Sequence, residues 1–141
     1  MKNENGFSLV ELLIAITLLA IGLLAVAGMQ STAINSNAWA NRLSTATSLA
    51  QEVMEDILAK DATDAIFSSS TSNVTYDLTG PNTTGNNISI SGAGTFSATR
   101  TITINSSCST PTVTVTGVVK VDVSVTDGTR TVTLTSCKRV V

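Results

Sequence analysis

Apolar and polar positions divide the chain into three zones. Residues 1–6 are polar, residues 7–29 are almost wholly apolar, and from about residue 70 onward Ser, Thr, Val, Asn and Gly predominate. The apolar zone is rich in Leu, Ile and Ala and contains no proline, which favours a helix. About 23 residues, at ~1.5 Å each, are enough to cross the ~30 Å hydrocarbon layer of a bilayer. The pattern therefore predicts a membrane-spanning helix over residues 7–29.

A cleavable secretory signal is the first alternative for this zone. Such a signal has a shorter apolar core, which ends at a small-residue cleavage site. Residues 25–28, Ala-Val-Ala-Gly, imitate that site. The length of the apolar zone favours its retention in the mature protein. An ordinary single-span anchor with a small domain outside the cytoplasm is a second alternative.

A second helical pattern follows the apolar zone directly. Residues 30–60 contain neither proline nor glycine, and their apolar residues recur at steps of three and four, as on one face of a helix. We therefore predict one helix from about residue 8 to 60, roughly 80 Å long. Trp39 is expected to pack against the core or against another helix, and the alternative is that it is a hot spot for binding a partner. The residues expected to pack are Trp39, Leu43, Ala46, Ala50, Val53 and Ile57, flanked by Leu49 and Met54.

The third zone has the pattern of a β-rich domain. A polar linker at 68–73 precedes short strand-like runs at 74–78, 88–91, 98–104 and 113–116, separated by Gly- and Asn-containing turns at 80–82 and 85–87. Asp127-Gly128 then joins two longer alternating runs, 118–126 and 129–136, and predicts a two-residue hairpin. That turn pairs Thr126 with Thr129, Val123 with Val132 and Val121 with Leu134, and it leaves Lys120, Asp122 and Ser124 on the other face.

These elements predict an α+β fold. The second half of the long helix packs on a small antiparallel sheet of at least three strands, because an isolated hairpin is marginal in water. The expected organisation is residues 1–6 as a leader, 7–29 as the spanning half of the helix, 30–60 as its amphipathic half, and 61–141 as the β-rich domain.

Composition narrows the classes of function. The chain has no histidine, which removes the usual general base and the usual zinc ligand, and it lacks a nucleophile elbow and a phosphate-binding loop. The acidic residues from Glu52 to Asp64 lack calcium-loop spacing and are better explained as a solvated helix end than as a cation site. We therefore predict no enzymatic activity, no metal and no cofactor. The net charge of −2 and the absence of aromatic-flanked basic runs argue against nucleic acid as a partner.

The two cysteines, Cys108 and Cys137, both lie in the last third of the chain. In an exported protein such a pair favours one disulfide, whereas in a cytosolic one it favours two buried thiols.

Glu11 is a lone carboxylate near the start of the apolar zone. Inserting this charged carboxylate at the centre of a bilayer would cost about 3 kcal/mol of free energy, so we expect it to pair with a group of opposite charge. Cleavage between Gly6 and Phe7 would create one, because the new Phe7 amine is cationic with a reference pKa of about 8. The amine of the same chain and that of a neighbouring chain are both candidates, and a pair between chains would favour one axial offset between their helices.

The segment GFSLVELLIAITLLAIG, residues 6–22, resembles the class III signal of type IV pilins and type II secretion pseudopilins. The resemblance implies that a membrane prepilin peptidase cuts after Gly6 and N-methylates Phe7, and that Glu11 serves methylation and subunit docking. It also implies anchorage in the inner membrane as a single-pass precursor, with the C-terminal domain outside the cytoplasm. After extraction by an assembly platform the subunit joins other pilins in an extracellular pilus, or other pseudopilins in a periplasmic pseudopilus.

Residues 20–60 resemble, more narrowly, the PilV class of minor pilins. Many major pilins carry a helix-breaking proline where this chain has Gly28, which favours a minor pilin or a pseudopilin. The leader departs from the family pattern, since Lys2 is its one basic residue and Glu4 opposes it. The expected function is a minor pilin that primes or modifies a type IV pilus. The alternatives are a secretion pseudopilin and a binding or adhesion subunit at a filament tip.

Overall fold

The structure is a computed structural model that describes residues 8–78, 87–108 and 114–140. A helix, α1, is followed by a short 3-10 turn and five strands. Their bounds are α1 Leu9–Ala59, the turn Ala65–Phe67, β1 Thr71–Tyr76, β2 Ile88–Ile90, β3 Gly94–Ser106, β4 Thr114–Thr126 and β5 Thr131–Arg139. The predicted α+β architecture, with one long N-terminal helix and a C-terminal antiparallel sheet, is confirmed.

The chain divides into two compact units, residues 1–39 and 40–141. The described part of the first unit is helical from Leu9, and every side chain in it is exposed. By length and composition, α1 qualifies as a membrane-spanning helix.

The second unit contains the core. Six residues of α1 are buried at steps of three and four, so that one stripe of the helix faces the sheet. These residues are Ala46, Leu49, Ala50, Val53, Met54 and Ile57. They form one hydrophobic cluster with Phe67 and with the inward-facing residues of the sheet.

The sheet is antiparallel, with β1, β3, β4 and β5 adjacent in that order and β2 paired with the start of β3. Side chains alternate along β4, so from Val119 to Val125 every second residue is a fully buried valine, while the residues between them are partly exposed. The buried apolar residues of β3 and β4 are Phe96, Ala98, Ile102, Val119, Val121, Val123 and Val125.

Several predicted strand boundaries were wrong, including those of the run predicted at 129–136, which is β5. The run predicted at 98–104 belongs to a longer strand, β3, and the end of the predicted linker at 68–73 already forms β1. The runs predicted at 113–116 and 118–126 join into β4, because Gly117 takes a φ of 75° that lets the chain continue through it. A Cβ on Gly117 would lie 3.0 Å from the Val140 carbonyl oxygen. The predicted turn at 80–82, with residues 85, 86 and 113, lies outside the described residues.

The predicted hairpin register was also wrong. Thr126 pairs with Thr131, Val125 with Val132 and Val123 with Leu134. The Asp127 amide donates to the Arg130 carbonyl at 3.1 Å, so the centre of the turn is Gly128-Thr129, one residue later than predicted. Moving the centre by one residue moves the pairing by two, so the same side chains still face the core.

Candidate assembly site

Glu11 lies in the first turn of α1, where its carboxylate is favourably placed toward the positive end of the helix dipole. The Glu11 amide donates to the Ser8 carbonyl at 3.0 Å, and the Leu12 amide donates to the same oxygen at 3.2 Å. The side chain is exposed among exposed leucines and valines, including Leu9 and Val10. Gly6 and Phe7 lie outside the described residues, so cleavage, methylation and the pairing of Glu11 stay predictions.

The residues that follow Glu11 form an exposed apolar surface. Most of the large hydrophobic side chains between Leu9 and Ile34 have more than half of their area exposed, up to 75% for Leu9. Leaving so much apolar area in water is unfavourable, at about 25 cal/mol per Å². A bilayer or other apolar helices would cover it. The exposed residues include Leu12, Ile14, Leu18, Leu19, Ile21, Leu23, Leu24, Met29 and Ile34.

Two threonine hydroxyl groups on this part of α1 bond to carbonyl oxygens within the helix. Thr17 Oγ1 donates to the Ile14 carbonyl at 2.8 Å, and Thr32 Oγ1 donates to the Gly28 carbonyl at 3.1 Å. Such bonds remove the need for water, which makes these residues compatible with an apolar environment. Gly22 and Gly28 lie inside the continuous helix, with open space where a Cβ would be.

Four of the residues predicted to pack along the helix differ in burial. Val53 and Ile57 are buried at 2% and 0% exposure and contribute to the core. Trp39 is 42% exposed and Leu43 is 52% exposed, so both lie outside that core. The buried part of the stripe begins at Ala46. Packing of Trp39 and Leu43 against other helices stays a prediction.

Two polar contacts within the second unit tie α1 to the sheet, and sequence reasoning missed both. Asn41 Nδ2 donates to the Gly92 carbonyl in the turn between β2 and β3, at 3.1 Å. The Tyr76 hydroxyl on β1 donates to Asp56 Oδ2 at 2.5 Å. Burial, reinforced by the bond to the Asp56 carboxylate, raises the pKa of Tyr76 above its ordinary value. No spacing in the sequence indicated either pair.

Two of the acidic residues just after α1, Asp61 and Asp64, have local structural roles. Asp61 accepts from the amide and hydroxyl of Thr63, and the backbone bond in particular lowers the pKa of Asp61. Asp64 accepts from the Ile66 amide and caps the 3-10 turn. Among the residues that the structure describes, no group of three or more His, Cys, Asp or Glu residues is arranged to hold a metal ion.

A disulfide joins Cys108, just beyond β3, to Cys137 in β5, with 5.8 Å between their Cα atoms. The next residue, Lys138, reaches the C-terminal end of α1. Its Nζ donates to the Leu58 carbonyl at 2.7 Å and to the Lys60 carbonyl. The same Nζ lies 5.0 Å from the centre of the Phe67 ring. The sequence alone assigned Lys138 no role.

Comparison with known proteins found a similarity for one segment of the chain, its N-terminal residues. Residues 1–27 match the family model of the prokaryotic N-terminal methylation motif. A search of curated proteins and a search of solved structures each found no match. The matched residues include Gly6, Phe7 and Glu11 and extend through most of the exposed apolar surface of α1.

Proposed function

We propose that this type IV pilin-like chain is a minor pilin, which primes or modifies a type IV pilus by inserting its N-terminal helix among the helices of other subunits. One observation carries the proposal. A methylation motif with a lone carboxylate, Glu11, opens an exposed apolar helix, and a second compact unit with its own hydrophobic core follows along the chain.

The first step is anchorage in the inner membrane. Residues 7–29 span the bilayer, and the domain that follows them lies outside the cytoplasm. The exposed apolar side chains and the internally bonded hydroxyl of Thr17 support this placement. Lipid then covers the surface that the chain itself leaves open.

Processing is the second step. A prepilin peptidase cuts between Gly6 and Phe7, and Phe7 is N-methylated. The mature amine and the Glu11 carboxylate then carry opposite charges at the head of an apolar helix. Because an unpaired buried charge is costly, pairing between neighbouring subunits selects one axial offset between helices.

Assembly by a dedicated inner-membrane platform is the third step. The apolar surface of residues 7–29 exchanges lipid for neighbouring helices, so the gain in free energy comes from packing rather than from the exclusion of water. Trp39 and Leu43 extend the contact with other subunits, in keeping with their exposure in the single chain.

Gly28 and the likeness of residues 20–60 to the PilV class support a minor rather than a major subunit. The methylation motif is shared with pseudopilins, so a type II secretion pseudopilus is the second candidate. Deleting the gene in the native host separates the two. Loss of surface pili with normal protein export supports the pilus, and the reverse result supports the pseudopilus.

Mass spectrometry tests the processing on which both candidates depend. The protein is extracted from membranes and from sheared filaments, and its N-terminus is sequenced. We expect a chain that starts at methylated Phe7 in both fractions. A chain that still starts at Met1 in the working form, or one cut near residue 28, would refute the proposal.

A further inference from the structure

The C-terminal end of α1 receives its cap from a distant strand. The last carbonyls of any helix lack partners within the helix, and a cation near them is stabilising. The sequence places no basic residue in the last turn of α1. Lys138 of β5 supplies one, through the bonds from its Nζ to the carbonyls of Leu58 and Lys60.

The sheet determines where this lysine points. Lys138 pairs with Val119 of β4, and it shares the inner face of β5 with Val132 and Leu134, which pack against the core. The ammonium group also lies over the ring of Phe67, which is only 5% exposed. Two carbonyl oxygens and an aromatic face together compensate a partly buried cation.

The disulfide holds the residue next to Lys138. Because side chains alternate along a strand, Cys137 points away from the helix and joins Cys108, just past the end of β3. Thus the end of β5 is held on one face by a covalent bond and on the other by the lysine. β5 ends at Arg139, the residue after Lys138.

We propose that the Cys108–Cys137 disulfide and Lys138 form a redox-dependent latch, in which closing the disulfide keeps Lys138 on the end of α1 and opening it releases the last turn of the helix from the sheet. Closing the bond removes two electrons and two protons from the two thiols. The disulfide of an exported thiol–disulfide oxidoreductase takes them up and becomes a dithiol. The latch goes beyond the proposed function, since it operates within one chain whether or not that chain enters a filament.

Hydrogen exchange on the full-length chain in detergent micelles tests the latch. The amides of residues 56–60 are compared in the oxidised protein, the protein reduced with dithiothreitol, and Lys138→Met. Arg139→Met is the matched control, since it removes the neighbouring cation, which is exposed and in no contact that this argument uses. We expect exchange at 56–60 to rise about tenfold in Lys138→Met and on reduction, and to stay at the wild-type rate in oxidised Arg139→Met.

Non-additivity is the decisive readout. In a latch, reduction adds little to the exchange rate of Lys138→Met at 56–60, because the cap is already lost. Lys138→Arg should restore slow exchange and its dependence on oxidation, and it replaces Lys138→Met as the informative variant if the latter does not fold. An unchanged rate at 56–60 on reduction overturns the proposal. So does an equal acceleration along β4, because the disulfide would then stabilise the whole sheet and not the helix end.

Discussion

The two halves of α1 are both rich in apolar residues, yet they find different partners. From Leu9 to Leu43 every side chain is exposed, whereas from Ala46 to Ile57 six residues are buried against the sheet. In the first half apolar residues surround the helix, so no single face can satisfy them. In the second half they form one stripe, which a small sheet covers. An all-round apolar pattern therefore indicates partners outside the chain, and a stripe indicates a partner within it.

Glu11→Ala is the variant that should separate the two halves most strongly. We expect the variant to be almost absent from sheared filaments, because Glu11 is the proposed docking charge, while the thermal unfolding of the second unit is unchanged. Immunoblots of the sheared and membrane fractions measure incorporation. Glu55→Ala, which removes an exposed acid from the second half, is the matched control and should enter filaments normally. Normal incorporation of Glu11→Ala would count against the docking role.

Ile57→Ala should produce the opposite pattern. Ile57 is fully buried in the core, so its truncation should lower the free energy of unfolding by about 2–5 kcal/mol. Leu24→Ala is the control, since Leu24 is 74% exposed in the first half and its loss should leave that free energy unchanged. Denaturant unfolding of the full-length chain in detergent, followed by circular dichroism, compares them. Equal effects of the two substitutions would remove the distinction between the halves.

Tyr76→Phe sharpens the comparison by testing a polar contact of the second half. Loss of the hydroxyl bond to Asp56 should destabilise the second unit by about 1 kcal/mol. The raised pKa of Tyr76 means that this advantage is present below pH ~10 and is lost as the pH rises above it. Unfolding midpoints of wild type and variant across pH 7 to 11 measure the effect. If the difference in stability between wild type and variant stayed constant over that range, the stabilisation would not depend on protonation of the Tyr76 hydroxyl.

The smallest effect is expected from Asp127→Ala, in the hairpin turn. Asp127 Oδ1 accepts from the amides of Thr129 and Arg130, and these bonds lower the pKa of the carboxyl. A lowered pKa contributes stability above the unfolded value of ~3.9, and that stability is lost as the pH falls through the folded value. The variant should melt slightly below wild type at pH 7, and the difference should narrow at pH 3. A difference that persists unchanged at pH 3 would contradict this assignment.

Sequence periodicity predicted the helix and strands better than it predicted how far they are buried or which polar contacts join them. Val53 and Ile57 were placed in the core because helical spacing alone assigns them to one face. Trp39 and Leu43 continue the same spacing but are exposed, since periodicity defines a face without showing how far a sheet covers it. The contacts of Lys138 and Tyr76 with α1 could not be predicted at all. Their partners lie far away in sequence, and polar contacts between elements leave no periodic signal.

The alternation of side chains in the last hairpin limits how the loop between β4 and β5 can change in length. The predicted pairing differs from the observed pairing by two positions, so it placed the correct side chains on the inner face although it paired the wrong residues. Removing a single residue from this loop would turn Val132 and Leu134 toward solvent and bring threonines inward. Insertions and deletions there should therefore be tolerated in pairs, unless a bulge absorbs the odd residue.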